Sequence, residues 1–271
     1  MNEYKPDVAY FSMEIGFHPD VPTYAGGLGM LAGDTVSSAA DLHVPMVAVS
    51  LLHRNGYFFQ RINSDGWQTE EPTRWVIEDY LQPTDAIAEI EIEGRTVRVR
   101  SWRYDIIGVD GFVVPIFFLD TNLAENSDWD RQLTSDLYGG NSHYRLCQEV
   151  VLGIGGLKML RTLGFNDLQR FHMNEGHAAL LTIELLREQR ERTGQAQAHE
   201  GLDAIRRQCV FTTHTPVPAG HDQFDLNMVN RVLGDRQACG ISDTVCHEGR
   251  LNMTYLALSL VQRCMTNSNK K

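Results

Sequence analysis

The feature that most constrains this chain is a glycine-rich turn between a short apolar segment and an amphipathic one. Residues 7–13 are rich in strand formers, Gly26-Gly27-Leu28-Gly29 follows, and residues 30–42 carry apolar side chains near helical spacing. A loop of this kind lets the backbone approach an anion, toward which the first helical N–H groups point. The tetrapeptide also suits a ligand-free tight turn, because it matches neither G-x-G-x-x-G nor a Walker A loop.

Strand-like and helix-like segments alternate along the chain, which predicts an α/β fold with a doubly wound, mostly parallel sheet. The strict alternation of residues 90–99 about Glu93-Gly94 predicts an inserted β-hairpin with one wet face. Residues 143–163 are expected to form one long helix, despite three glycines that suggest close packing or a ligand. Further strands are expected at residues 44–52, 56–62, 112–119, 169–173 and 209–213.

Charge and composition exclude several classes of function. The net charge of −11 gives no basic surface for nucleic acid, and an anionic membrane would repel the chain. No apolar run approaches the ~20 residues that span a bilayer, and the first residues carry no secretion signal, so a cytoplasmic location is expected. The five cysteines lack C-x-x-C spacing, which favours reduced thiols and predicts no metal site.

Polar residues follow several of the predicted strands. His214 comes directly after the strand at 209–213, where its imidazole could donate to or accept from a sugar hydroxyl. In Asn174-Glu175-Gly176-His177, Asn174 could equally cap the next helix. Glu14 is either a brace for the glycine loop or an acceptor for a substrate hydroxyl. Asp222 has the position of a helix cap.

Several separate motifs, taken in order, resemble the α-glucan (glycogen, starch and maltodextrin) phosphorylases over residues 5–258. The resemblance is to the shorter bacterial and archaeal branch of that family. The motifs are residues 10–14 (Tyr-Phe-Ser-Met-Glu), residues 24–34 around the glycine loop, Gly56-Tyr57-Phe58, Asp65-Gly66-Trp67-Gln68, Asn174-Glu175-Gly176-His177 and Thr213-His214-Thr215-Pro216.

This resemblance implies the amino-terminal half of a two-domain GT-B-type glycosyltransferase. The implied reaction is phosphorolysis of terminal α-1,4-linked glucose to α-glucose 1-phosphate with retention, in a family of allosteric enzymes. The implied partners are α-1,4-glucan and inorganic phosphate, and the implied cofactor is pyridoxal 5′-phosphate. Residues 1–258 are expected to form the domain and residues 259–271 a divergent tail. No lysine lies in a recognisable pyridoxal-attachment motif, so we expect the cofactor domain to be absent, the cofactor not to bind and the chain to be inactive alone.

The same resemblance assigns roles to particular residues. Gly26, Gly27 and Leu28 are implied to contact the reacting phosphate and glucosyl groups, with Gly26 and Gly27 near the cofactor phosphate. His214 is implied to bond the glucosyl unit and is counted with the catalytic residues. The implied substrate-binding residues are Glu14, Asn174, Glu175, His177, Asp120 and Asn122.

Two alternatives remain open from the sequence. A glycogen-synthase-like nucleotide-sugar glucosyltransferase also uses a Gly-Gly-Leu-Gly loop, but its family places a lysine just before the glycines, where this chain has Thr23-Tyr24-Ala25. A non-catalytic glucan-binding module would bind oligosaccharide without releasing phosphate sugar. With a cleft wall missing, the chain is also expected to self-associate through the exposed cleft face.

Overall fold

The computed structural model describes residues 4–71, 73–194, 198–215, 220–234 and 245–266. Its strands are β1 (Val8–Ser12), β2 (Met46–Leu51), β3 (Phe59–Ile62), β4 (Gln68–Glu71), β5 (Gln82–Ile92), β6 (Arg95–Ile107), β7 (Val113–Asp120), β8 (Arg170–Asn174), β9 (Cys209–Thr213), β10 (Gln223–Asp225), β11 (Cys246–His247), β12 (Arg250–Asn252) and β13 (Arg263–Thr266). Its α-helices are α1 (Gly27–Asp41), α2 (Ser142–Val150), α3 (Gly156–Thr162), α4 (Leu181–Thr193), α5 (Ala198–Gln208), α6 (Leu226–Leu233) and α7 (Met253–Ser259).

The main sheet has eight strands in the order β13-β9-β8-β1-β2-β7-β6-β5. The six strands from β13 to β7 are parallel, and β6 and β5 continue the sheet in antiparallel pairing. Counted along the chain, the parallel strands have the 3-2-1-4-5-6 order of the Rossmann fold. The expected α/β fold with a large, mostly parallel sheet is confirmed.

The parallel strands β1, β2 and β7 are buried almost without interruption, because the sheet is covered on both faces. In β1, Ala9 and Phe11 enter one apolar core and Tyr10 enters the other. Helix α1 covers the Tyr10 face through buried residues that include Val36. Helices α2, α3 and α4 cover the opposite face. Because the six strands are parallel, their carboxyl ends all lie at the same edge of the sheet.

The predicted helix at 143–163 is continuous in space but changes its winding. Between α2 and α3, residues Val151–Gly155 form a π-helical turn. A Cβ on Gly153 would stand 2.7 Å from the backbone nitrogen of Leu181, and one on Gly156 would stand 2.9 Å from the Phe11 ring. Of the two reasons proposed for these glycines, close packing is the one the structure supports.

Two regions differ from the sequence-based expectations, and a third forms a strand that was not predicted. Residues 56–62 do not extend the main sheet, because β3 pairs with β4 in a separate, exposed two-stranded ribbon. Residues 263–266, in the segment expected to be a divergent tail, form the edge strand β13 beside β9. Cys246 is disulfide-bonded, which contradicts the expectation of reduced thiols, whereas Cys147, Cys209 and Cys264 are free.

Within the described ranges, the helices are all too short or too polar to cross a membrane.

Candidate active site

The candidate site lies where the strand order reverses, between the neighbouring parallel strands β1 and β8. Helix α1 follows β1 and leads to β2 on one side, while the segment after β8 leads to β9 on the other. Diverging connections leave a crevice at the carboxyl ends of such strands, and this is where α/β folds bind ligands. The glycine loop follows β1, Asn174 ends β8 and Glu175 comes next, and His214 follows the neighbouring strand β9.

The glycine loop forms the start of α1 and is held from behind by Glu14. Gly26 is the N-cap, and α1 begins at Gly27. The Glu14 carboxylate is buried; its Oε2 accepts hydrogen bonds from the backbone N–H groups of Ala25 at 2.8 Å and Gly26 at 3.4 Å. Its Oε1 accepts a hydrogen bond from the Tyr138 hydroxyl at 2.6 Å. These contacts make Glu14 a brace for the loop, which is one of the two roles considered for it. The substrate-binding role that the resemblance implies stays a prediction.

The four glycines of this region divide into two pairs. A Cβ on Gly29 would lie 2.4 Å from the Cβ of Tyr24, and one on Gly33 would lie 1.7 Å from the carbonyl oxygen of Gly16. A Cβ on Gly26 or Gly27 would meet no atom within 4 Å, and neither residue has a positive φ. Packing therefore requires Gly29 and Gly33, whereas the space beside Gly26 and Gly27 is open.

The first turn of α1 offers hydrogen-bond donors to this open space. No acceptor in the described ranges receives the N–H groups of Gly27 and Leu28, and the first turn carries no acidic side chain. The leading N–H groups of a helix have no partner within the helix and lie at the positive end of its dipole. The arrangement suits an anionic oxygen, and the side chain of Leu28 is half-buried beside it.

The His214 imidazole is oriented by a directed chain of hydrogen bonds. Ser12 donates its hydroxyl proton to the carbonyl of Glu14 at 2.7 Å, so its oxygen accepts from Asn174 Nδ2 at 3.1 Å. This fixes the amide orientation of Asn174, whose Oδ1 must then accept from His214 Nε2 at 2.9 Å. Asn174 is buried and does not cap a helix; it joins the end of β1 to the histidine turn.

Glu175 clamps the backbone of the same turn. Its Oε1 accepts from the N–H groups of His214 at 2.5 Å and Thr215 at 3.0 Å and from the Thr215 hydroxyl, while Oε2 accepts from the Thr213 hydroxyl. The carboxylate is 1% exposed, and the residue has a φ of 65°. With a ψ of 173°, this backbone conformation is one that residues with a Cβ rarely adopt. It costs about 1–3 kcal/mol, which the four hydrogen bonds offset.

His177 belongs to a buried polar cluster that sequence reasoning missed. Its Nε2 lies 3.4 Å from Oδ2 of Asp222, and its ring lies 5.8 Å from that of Tyr138. Asp222 is not a helix cap: its carboxylate accepts from Arg145 at 2.6 Å, and Asp225 caps α6 instead. Tyr138 and Asp222 lie far along the chain from their partners, so no local pattern signals them.

Asp120 and Asn122 are engaged within the protein. Asp120 is fully buried, and its carboxylate accepts from Arg54, Arg100 and the Trp102 indole at 2.5–3.1 Å. Burial opposes ionisation, but the hydrogen bonds and charge of Arg54 and the Trp102 indole bond lower the pKa of Asp120 to about 2. Asn122 accepts from Arg131. A substrate-binding role for these two residues stays a prediction without support from their contacts.

Fold and site together define a Rossmann-like α/β domain with an open glycine loop and a braced histidine turn at the switch point. The sequence profile of the carbohydrate phosphorylase family matches residues 17–107, a segment that contains the glycine loop. The chain is 37% identical to the glycogen phosphorylase of Mycobacterium tuberculosis (strain ATCC 25618 / H37Rv), over 94% of this chain and 32% of that protein.

Two further relatives extend this similarity. The maltodextrin phosphorylase of Thermococcus litoralis is 35% identical over 94% of this chain and 31% of its own length. The glycogen phosphorylase of Aquifex aeolicus is 31% identical over 83% of this chain and 32% of its own length. The sequence therefore corresponds to the amino-terminal region of the carbohydrate phosphorylase family. The chain spans about a third of the length of these relatives.

Proposed function

We propose that this chain supplies the glucosyl and phosphate half-site of an α-glucan phosphorylase. The observation that carries the proposal is the pairing of two features at one crevice. The space beside Gly26 and Gly27 is open, and the N–H groups of Gly27 and Leu28 have no acceptor in the described ranges. The buried Asn174 orients the imidazole of His214 at a nearby strand end. An anion and a polyol bound side by side are the two substrates of phosphorolysis.

The chain's own residues suggest a division of labour. The first N–H groups of α1 bind and orient anionic oxygen, and they gain strength as negative charge develops on the bound phosphate. The turn at His214 binds the terminal glucose. Asn174 holds the His214 side chain in place, and Glu175 holds the backbone N–H of the same residue. Because both braces are buried, the turn is preorganised before a ligand arrives.

The family resemblance also implies pyridoxal 5′-phosphate, which would supply a phosphate group as a proton relay. The open loop at Gly26 and Gly27 fits a phosphate. The lysines in the described ranges do not fit the attachment, because Lys5 precedes β1 and Lys158 donates to the carbonyl of Glu89 from α3. We therefore assign no attachment residue and expect these 271 residues to bind substrates without turnover.

The remaining parts of the proposal rest on the family resemblance. They are the GT-B arrangement with a second facing domain, residues 1–258 as the domain, allosteric control and self-association through the cleft face. The cytoplasmic location is a separate proposal. The nucleotide-sugar and non-catalytic alternatives are not favoured by the relatives, which are named as phosphorylases.

Calorimetry on the purified chain tests the proposal. Maltoheptaose should bind, binding should strengthen in the presence of inorganic phosphate, and Gly27→Ala should abolish the phosphate effect while leaving the protein folded. Uridine diphosphate glucose should not compete. If neither maltoheptaose nor phosphate binds, or if the nucleotide sugar binds in their place, the proposal is wrong. Release of glucose 1-phosphate by the chain alone would contradict the expected lack of turnover.

A further inference from the structure

Glu149 is a buried acid that the proposed substrate site does not use. It lies on α2 with 1% of its surface exposed, and neither of its carboxyl oxygens meets a hydrogen-bond donor in the described part of the chain. Arg145, four residues before Glu149 on α2, donates to the carboxylate of Asp222 at 2.6 Å, so Asp222 lies beside the face of α2 that carries Glu149. Two carboxylates that are close together and shielded from water repel each other strongly unless one of them carries a proton.

The surrounding charges decide which acid holds the proton. Asp222 faces Arg145 of α2, His177 of the 3-10 turn Gly176–Ala178 and Glu149 itself. Burial opposes its ionisation, but the hydrogen bond from His177, the charge of Arg145 and the hydrogen bond from Glu149 lower the pKa of Asp222. Burial and the charge of Asp222 raise the pKa of Glu149 well above its ordinary value. The proton therefore belongs to Glu149.

We propose that Glu149 and Asp222 share one proton and that this pair positions the His177 imidazole. The Glu149 hydroxyl donates to the Asp222 carboxylate, which turns a repulsive contact into a hydrogen bond. The carboxylate then accepts from Arg145 and from Nε2–H of His177. This selects the His177 tautomer with hydrogen on Nε2 and makes Nδ1 the accepting nitrogen.

The neighbouring residues connect this cluster to the glycine loop. Nδ1 of His177 is buried without a hydrogen-bond partner among the described residues, so an accepting nitrogen there suits a buried water. The His177 ring packs beside Tyr138, whose hydroxyl donates to Glu14, the brace of the loop. The shared proton does not depend on the proposed function.

Infrared spectroscopy in heavy water tests the proton directly. The spectrum of the wild-type chain minus that of Glu149→Gln should show the C=O band of a protonated carboxyl at neutral pH. The glutamine variant should fold, because its amide N–H can donate to Asp222 in place of the acid. Absence of this band would show that Glu149 is ionised and would overturn the proposal. Glu125→Gln, at an exposed position, should give no such band.

The pH dependence of stability gives a second measurement. Because the pKa of Glu149 is raised in the folded state, the unfolded chain ionises first as pH rises. The stability from this group is complete below the unfolded pKa and declines as pH rises toward the folded one. Glu149→Gln should remove this decline, and Glu125→Gln should keep it. Identical pH profiles for wild type and Glu149→Gln would contradict the shared proton.

Nuclear magnetic resonance of chains labelled with ¹⁵N-histidine tests the positioning role without any glucan. Asp222→Asn should shift the His177 ring nitrogens away from a single Nε2–H tautomer, whereas Glu149→Gln should leave them unchanged. Glu149→Leu, which cannot donate, should shift them as Asp222→Asn does. Unchanged His177 signals in Asp222→Asn would overturn the positioning role. Since ligands are absent, the outcome is independent of whether the proposed function holds.

Discussion

The most constrained single residue of the site is Glu175, whose carboxylate accepts four hydrogen bonds from residues 213–215. All four partners are donors, so Glu175→Gln replaces an acceptor with an amide N–H that points at other donors. We expect a loss of about 3 kcal/mol in the free energy of unfolding, measured by urea denaturation. Glu125→Gln makes the same chemical change at an exposed position and should cost nothing measurable. Equal stability of the two variants would contradict the clamp.

Asp120 makes a prediction about pH. Its pKa is lowered from an ordinary value of 3.8 to about 2, so the stability it provides is complete above 3.8 and is lost as pH falls toward 2. The destabilisation caused by Asp120→Asn should shrink by about 2 kcal/mol between neutral pH and pH 2. Urea unfolding at both pH values measures the change. Asp128→Asn, in the loop that follows β7, changes an almost fully exposed carboxylate and should give no pH-dependent difference.

At the scale of elements, the glycines near the start of α1 are of two kinds. Gly33 is required for packing, whereas Gly27 leaves space that a ligand could occupy. Gly33→Ala would bring a Cβ into the carbonyl of Gly16, and we expect it to cost about 3 kcal/mol or more. Gly27→Ala meets open space in a helical first turn and should gain about 0.5–1 kcal/mol. Thermal unfolding of the two variants checks the contrast. A large loss of stability in Gly27→Ala would show that the loop is a structural turn.

Glu14 links the end of β1 to the glycine loop, and Tyr138 anchors the Glu14 carboxylate. Tyr138→Phe removes the hydroxyl that donates to Glu14 Oε1 and leaves a buried carboxylate oxygen without this donor. We expect a cost of about 1–2 kcal/mol. Hydrogen exchange at the N–H groups of Ala25 and Gly26 should also accelerate, because the brace is loosened. Tyr255→Phe, at a half-exposed hydroxyl, should change neither quantity. Unaltered exchange in Tyr138→Phe would mean that Glu14 needs no anchor.

Elements with a clear apolar period were predictable, and those held by distant partners were not. The strand at 209–213 has the predicted bounds because its residues are apolar, β-prone and followed directly by a polar turn. Residues 56–62 are also β-prone, yet β3 pairs with β4 away from the core. Strand β13 carries no apolar alternation and forms because the edge of β9 offers it hydrogen bonds. Pairing partners of this kind leave no local signal.

For the molecule as a whole, the sequence predicts where the candidate site lies, but not which hydrogen bonds hold its residues in place. Sequence reasoning placed the glycine loop, Asn174 and His214 at strand ends, and the sheet order brings those ends together. It could not show that Glu175 accepts hydrogen bonds from the backbone of the turn or that Asp120 accepts them from arginines. In both cases the partner lies more than 15 residues away along the chain. Several sequence motifs in order are enough to locate a site, whereas the role of each side chain follows from its burial and its contacts.

The whole-molecule prediction is that the two halves of the crevice bind ligand as one site. Maltoheptaose with inorganic phosphate should slow hydrogen exchange together at residues 25–29, which carry the anion-binding N–H groups, and at residues 213–215, which carry the histidine turn. The antiparallel strands β5 and β6 lie at the far edge of the sheet and should exchange at an unchanged rate. Gly27→Ala should reduce protection of both segments in parallel, because phosphate and sugar stabilise each other when they share a crevice. Protection of one segment alone would show two independent sites, and the phosphorylase half-site would then have to be abandoned in favour of a simple glucan-binding or anion-binding surface.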